Sequence, residues 1–260
     1  MILDKLAAAA RARVAALRNK KSLAAVRAEA EALPQLRRSL QSRLQRPGMN
    51  FITEVKKASP SKGIIAAQFD YLRLAREYEA AGAAAISCLT EPQFFLGRDE
   101  YLQEISKAVQ IPVLRKDFTV DAYQIYEAKT LGADAVLLIC ALLDTAALRE
   151  YLAVAASIGL EALVEAHDEQ EVASALAAGA QIIGVNNRNL QDFSVDLHNS
   201  LRLRRLVPAE KVFVSESGIK TAADVAALRD CGVNGVLIGE TLMRSSNISL
   251  ELQRLAGAAL

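Results

Sequence analysis

From Met49 onward the chain alternates between two kinds of segment, and no other feature restricts its possible folds so strongly. Short runs rich in Val and Ile occur at Asn50–Lys56, Ala84–Leu89, Pro112–Lys116, Ala135–Cys140, Glu161–Glu165, Ile182–Asn186, Val212–Ser215 and Gly235–Gly239. Stretches of helical period lie between them, at Tyr71–Ala80, Glu100–Ala108, Ala122–Leu131, Thr145–Ile158, Glu169–Ala177, Ser200–Leu206 and Ala222–Arg229. Gly82, Gly132, Gly179 and Gly232 each stand shortly before a run, where glycine can end a helix and feed the next strand. Eight such units in a chain of 260 residues predict a closed (β/α)8 TIM barrel of the α/β class. The runs are apolar on both faces, as at Val136-Leu137-Leu138-Ile139, which suits strands packed on one side by a barrel core and on the other by helices. An open doubly wound sheet is the competing architecture, but its GxGxxG fingerprint after the first strand is absent.

The first 46 residues read differently. Residues 2–18, 22–32 and 36–44 have helical patterning, broken at Pro34 and at Arg46-Pro47-Gly48. They carry eleven Lys or Arg against three Asp or Glu, whereas the rest of the chain carries twenty against twenty-seven. A basic, Ala-rich start can be a transit peptide or a nucleic-acid arm. The reading preferred here is a basic helical extension, residues 1–46, packed on its own acidic barrel, so that residues 1–260 form one barrel domain.

Composition excludes several classes. The net charge of +1 makes no electrostatic case for nucleic acid. Three cysteines without a CxxC pair argue against a disulfide framework and for a reducing compartment. Two histidines far apart in sequence, with no HExxH, argue against a metal site. No apolar run approaches the ~18 residues of a membrane span, and no secretory signal is visible.

In a barrel of this kind the chemistry sits at the C-terminal strand ends, so polar residues there carry the functional reading. The first run ends with Glu54 and Lys56 on one face, followed by Ser59. Taken alone, this is equally an ion pair on an edge strand. Other runs deliver Lys116, Glu165, Asn186 and Glu216 to the same rim. A lysine beside carboxylates in a partly dry mouth can be a general acid, an electrostatic anchor or a Schiff-base nucleophile. Glycine-containing loops follow the seventh and eighth runs, at Ser217-Gly218 and Gly239-Glu240. They are either ordinary turns or, as a pair, a phosphate site. Phe94, Phe95 and Phe118, with Leu89 and Leu137, can form a flat apolar pocket for a ring or simply pack loops. His167 and His198 read as bystanders, and Cys88 and Cys140 as small core residues.

Taken together, these motifs resemble the indole-3-glycerol phosphate synthase family. The matching segments are Glu54-Val55-Lys56-Lys57-Ala58-Ser59-Pro60-Ser61, Leu114-Arg115-Lys116-Asp117-Phe118, Leu163-Val164-Glu165-Ala166-His167, Gly184-Val185-Asn186-Asn187-Arg188-Asn189-Leu190 and Val214-Ser215-Glu216-Ser217-Gly218-Ile219, with Ile2-Leu3-Asp4-Lys5 like the family's start. The resemblance implies a carboxy-lyase of tryptophan biosynthesis whose N-terminal helical extension, residues 1–46, packs over the barrel mouth. It would convert 1-(2-carboxyphenylamino)-1-deoxyribulose 5-phosphate to indole-3-glycerol phosphate, CO2 and water without a cofactor or metal. By the same resemblance, Lys116 is the general acid for ring closure and Glu165 the acid/base group for dehydration. Lys56 is an alternative donor, and Glu54, Asn186 and Glu216 hold the intermediate. Ser59, Ser217, Gly218, Gly239 and Glu240 would bind phosphate. Phe95, Phe118, Leu137 and Leu190 would form the ring pocket, with Arg188 supporting the mouth. Cys88 and the carboxylate of Glu240 depart from the expected pattern. The implied setting is cytoplasmic, with a phosphorylated small molecule as ligand, no nucleic acid or membrane, and other tryptophan-pathway enzymes as candidate protein partners. Competing readings are a phosphoribosylanthranilate isomerase or Schiff-base aldolase type of barrel, or a non-catalytic barrel that binds a phosphometabolite.

Overall fold

The computed structural model describes residues 2–35, 38–66, 68–189, 192–245 and 247–257. Eight strands form the barrel: β1 (Asn50–Val55), β2 (Ala85–Leu89), β3 (Val113–Lys116), β4 (Ala135–Ile139), β5 (Glu161–Ala166), β6 (Ile182–Asn186), β7 (Val212–Glu216) and β8 (Gly235–Ile238). Each pairs in parallel with its neighbours in sequence, and β1 pairs with β8 to close the ring, with Asn50 opposite Gly235. A two-stranded hairpin, Ala58–Ser59 with Gly63–Ile64, follows β1.

Period-two alternation sorts the strand residues into two cores. Ile52, Leu114, Leu137, Leu163, Val214 and Leu237 belong to the cluster inside the barrel. Phe51, Val113, Leu138, Val164, Phe213 and Val236 belong to the cluster between strands and helices. Cys88 is buried in that outer cluster. The chain's three cysteines, Cys88, Cys140 and Cys231, are all free.

The outer helices start where the sequence supplies caps. The carboxylates of Asp70, Asp144 and Asp168 accept from the backbone N–H of Arg73, Ala147 and Glu171, satisfying donors that a first turn leaves free. The helices end at Gly82, Gly132, Gly179 and Gly232, with φ of 90°, 87°, 95° and 79°, a conformation that costs other residues energy.

Three helices precede the barrel: α1 (Ile2–Lys20), α2 (Leu23–Ala32) and α3 (Leu40–Leu44). The third is shorter than the expected 36–44. Its start is set by Ser39, whose hydroxyl accepts from Ser42 N–H, and Leu36 lies outside the described residues. Among the described residues of the segment expected over the mouth, only α1 contributes to it, with Ile2, Leu3 and Leu6. The small helix α3 sits at the opposite end, where Leu40 and Leu44 complete the inner core. It is fixed there by Arg38 to Asp134 at 2.7 Å and by Ser39 Oγ to Glu161 Oε1 at 2.7 Å. Excess basic charge in this segment therefore meets acids of the barrel: Arg13 pairs with Asp117 and Arg18 with Asp121, both at 2.6 Å.

The helices α4 (Tyr71–Ala80), α5 (Asp99–Ala108), α6 (Ala122–Thr130), α7 (Thr145–Ser157), α8 (Glu169–Ala178), α9 (His198–Leu203) and α10 (Ala222–Asp230) follow successive strands. The stretch expected as a helix to Leu206 ends as a 3-10 turn over Arg204–Leu206. Two further helices, α11 (Glu240–Met243) and α12 (Ile248–Ala256), have no counterpart in the pattern read from sequence. Among the described residues, no helix is long and apolar enough to cross a membrane.

Candidate active site

Lys116 ends β3 and shares its inward face with Leu114. Its Nζ donates to Glu165 Oε2 at 2.9 Å and to Glu216 Oε2 at 2.8 Å. Asn186 at the end of β6 donates from Nδ2 to Glu165 Oε1 at 3.3 Å. Glu54 on β1 forms an ion pair with Lys56. Five strand ends thus place two ammonium groups among three buried carboxyls.

Burial opposes the charge on Lys116, but Glu165, Glu216 and Glu54 outweigh it and raise its pKa. Burial also pushes Glu165 upward, yet Lys116 and His167 prevail and hold it low. Glu216 goes the other way. Burial and the repulsion of Glu165 and Glu54 exceed the pull of Lys116, so it is raised. Its second oxygen, Oε1, is buried without a hydrogen bond among the described residues. Two like groups clamped on one ammonium have separated their affinities for a proton, the usual outcome for carboxyls that cannot both ionise freely.

Two glycines make room for these carboxyls. A Cβ at Gly184 would lie 2.2 Å from Glu216 Oε1, and one at Gly239 would lie 2.5 Å from Glu54 Oε1. The polar layer fits inside the ring because Gly184 on β6 and Gly239 just after β8 put no side chain where the two carboxyls stand.

A cavity of about 590 Å³ opens above this layer. Its wall includes Glu54, Lys56, Ser59, Phe95, Lys116, Phe118, Leu137, Glu165, Asn186, Arg188, Glu216, Ser217, Gly218, Gly239 and Glu240. Those are all the site residues expected from sequence except Leu190, which lies outside the described residues. Phe94 is not part of the wall. Phe95 and Phe118 stand side by side, their ring centroids 6.0 Å apart and their planes inclined at 37°. Across the mouth, Ser217 and Gly218 follow β7 in left-handed conformations, with φ of 68° and 86°. Thr241 Oγ1 donates to Ile219 O at 3.2 Å, tying α11, which follows β8, to the loop after β7. The Glu240 carboxylate, the unexpected anion on this side, is matched by Arg244 at 3.2 Å and Lys62 at 3.8 Å.

Three supporting features escaped the sequence reading. Glu91 is buried and accepts from the N–H groups of Gln93, Phe94 and Phe95 at 3.0, 2.6 and 3.0 Å, which fixes the loop carrying Phe95. Asp117 accepts from Thr90 Oγ1 at 2.7 Å and from its own neighbour Phe118 N at 2.8 Å while pairing with Arg13. It therefore joins α1 to the strand end that bears Lys116. His167, read as a bystander, instead lies against Glu165, with Nε2 3.4 Å from Oε1. Its position two residues after Glu165, on the same side of the strand, was the available signal. His198 is exposed and pairs with Asp196.

Ammonium groups held between carboxyls of different basicity are arranged to move protons, and their setting at the C-terminal mouth puts the chain among (β/α)8-barrel enzymes of the acid–base type. Solved structures agree on the fold. A 3-hexulose-6-phosphate synthase from Salmonella typhimurium superposes with a TM-score of 0.65 at 13% identity, covering 81% of this chain and 98% of its own. A thiamine phosphate pyrophosphorylase from Pyrococcus furiosus gives 0.62 at 16%, covering 85% and 97%. Sequence comparison goes further. The family model described as indole-3-glycerol phosphate synthase matches residues 3–255. The protein of that name from Ruminiclostridium cellulolyticum is 57% identical over 260 residues, covering the whole of both chains. Its counterpart in Endomicrobium trichonymphae is 56% identical over 258 residues, covering 98% of this chain and 99% of its own. The chain belongs to the indole-3-glycerol phosphate synthase family, carboxy-lyases of tryptophan biosynthesis.

Proposed function

We propose that the mouth closes the indole ring of 1-(2-carboxyphenylamino)-1-deoxyribulose 5-phosphate, releasing CO2 and water to leave indole-3-glycerol phosphate. The observation that carries this reading is the double clamp of Lys116 between Glu165 and Glu216 beneath a cavity with rings on one side and paired glycine loops on the other. Phosphate sits against Ser59, Ser217, Gly218, Gly239 and the backbone of Glu240, and the aryl ring sits against Phe95, Phe118 and Leu137. Arg188 supports the same mouth. Holding both ends folds the substrate so that its ring carbon meets its carbonyl, which removes much of the entropic part of the barrier. As the bond forms, negative charge grows on the carbonyl oxygen, and the fixed Lys116 ammonium stabilises and protonates it. Loss of CO2 restores the aromatic ring. Ring closure discharges Lys116, the main charge that depresses Glu165, so Glu165 can then carry a proton to the departing hydroxyl. The adjacent CH2 proton returns to Lys116, and Lys56 is the second donor within the layer, while Glu54, Asn186 and Glu216 hold the intermediate. Free cysteines suit a cytoplasmic setting.

A Schiff-base mechanism requires a neutral lysine. Lys116 is held charged by its carboxyl partners, which favours the acid role over imine formation. The test is turnover of the proposed substrate, followed by the absorbance of the new indole. Chromophore appearance without borohydride-trapped adduct supports the reading, and failure to turn over, or covalent capture at Lys116, overturns it.

A further inference from the structure

His167 lies between two carboxylates. Its Nδ1 is 2.9 Å from Glu171 Oε2 on α8, and its Nε2 faces Glu165 Oε1 on β5. The backbone on either side is fixed, since His167 N–H donates to Glu171 Oε2 at 2.7 Å and its carbonyl accepts from Asn199 Nδ2 at 2.9 Å. Nε2 is buried and makes no hydrogen bond among the described residues. The carboxylate on Nδ1 keeps a proton there, so Nε2 is the atom free to gain and lose one. Burial disfavours the imidazolium, but Glu171, Glu165 and the more remote Glu216 outweigh it and raise His167 above its ordinary value. Lys116 binds the other oxygen of that carboxylate, Glu165 Oε2, and Arg202 reaches the neighbouring Asn199 at 2.9 Å.

The proposed reaction needs a proton supply. The substrate carboxylate leaves as CO2 without a proton. The carbonyl oxygen takes one proton at ring closure and a second as it departs as water, while the adjacent CH2 gives one up. Each turnover therefore consumes one proton net, inside a mouth that the substrate fills. Glu165, once it has protonated the hydroxyl, is left ionised among Lys116, Asn186 and His167.

We propose that His167 is a proton store for Glu165, a positioning and relay residue that acts through that carboxylate and not on the substrate. The Nε2–H bond breaks and an O–H bond forms on Glu165 Oε1. The lone pair left on Nε2 is filled by a proton from water once product has gone and the mouth is open. Glu171 holds Nδ1–H throughout and steadies the ring while it carries both protons.

This inference rests on the reaction proposed above, and absence of turnover in the unsubstituted protein would refute that reaction itself. Given turnover, kcat of the parent falls on the alkaline side as His167 discharges. Glu171→Gln is expected to move that limb to lower pH by roughly one unit. His167→Gln is expected to remove the limb and lower kcat roughly tenfold or more, with KM within about twofold because no substrate contact is lost. Circular dichroism checks that each variant is folded, and the Glu171 variant serves alone if the His167 variant is not. An alkaline limb unmoved in the folded variants, whatever their kcat, overturns the proposal.

Discussion

Gly184→Ala isolates the packing that lets the polar layer exist. The new methyl would stand 2.2 Å from Glu216 Oε1 and 3.1 Å from Leu163 Cδ1, whereas ordinary contact begins at 3.4 Å. Glu216 must therefore retreat by about 1.2 Å, and its 2.8 Å bond to Lys116 cannot survive such a shift. A hydrogen bond between charged groups contributes about 1.5–3 kcal/mol, and each ~1.4 kcal/mol in the barrier is tenfold in rate. The expected loss in kcat/KM is thus roughly 10- to 100-fold, with overpacking lowering stability by about 1–3 kcal/mol. The assay is initial-rate indole formation at a temperature where denaturant titration shows the variant folded. A double-mutant cycle locates the effect. In a Glu216→Ala background the clash with the carboxyl is gone and the 3.1 Å approach to Leu163 remains, which a few tenths of an ångström relieve, so adding Gly184→Ala should change kcat/KM by less than about twofold. Wild-type kinetics for Gly184→Ala, or the same fold-loss in both backgrounds, would refute the reasoning.

Lys116→Met should lower turnover by at least ~10²-fold, the scale of a general acid's contribution, with the unfolding midpoint in denaturant showing that the fold persists. Burial opposes ionisation of Asp117, but Arg13 and Arg115 dominate and depress its pKa. Its stabilising contribution is therefore present above the ordinary carboxylate pKa and is lost as pH falls through the depressed one. Denaturant titrations from neutral pH down through the acid range should show the parent's stability advantage over Asp117→Asn shrinking on acidification, and an advantage that grows there contradicts the pairing. Glu240→Gln should tighten competitive inhibition by inorganic phosphate about two- to fivefold, the scale of exposed ion pairs, because Lys62 and Arg244 no longer have a carboxylate to engage. Unchanged or weakened inhibition would show that Glu240 does not compete with the anion.

How much was legible in the sequence depended on whether a residue's role is set by its own strand or by distant neighbours. Lys116, Glu165, Asn186 and Glu216 could be read because strand period and strand ends fix where they face, and one parallel barrel brings all such ends to the same rim. Gly184 could not, since its requirement comes from a carboxyl on the adjacent strand. Glu91 and Asp117 were visible as polar residues, but what they hold, the Phe95 loop and Arg13 of α1, lies in other segments. The position of α3 was misjudged for a similar reason: helical period shows that Leu40 and Leu44 share a face, not which end of the barrel receives it. Helices α11 and α12 escaped because the repeat they follow was already complete at the eighth strand. His167 was read as a bystander because it falls where a loop leads into the next helix, although its parity with Glu165 already pointed it at the mouth.

The α3 plug also bears on the order in which the molecule can assemble. Leu44 meets Gly235, where an added Cβ would lie 2.8 Å from its Cδ2, and β1 finds its second neighbour only in β8. These contacts join the beginning of the chain to its last strand, and such long-range closure is what slows folding. During synthesis, which delivers the N-terminal part first, Leu40, Leu44 and one edge of β1 wait uncovered until residue 238 has emerged. A chain stopped before β8 would therefore expose an apolar plug and two unpaired strand edges at once, the combination most prone to aggregate.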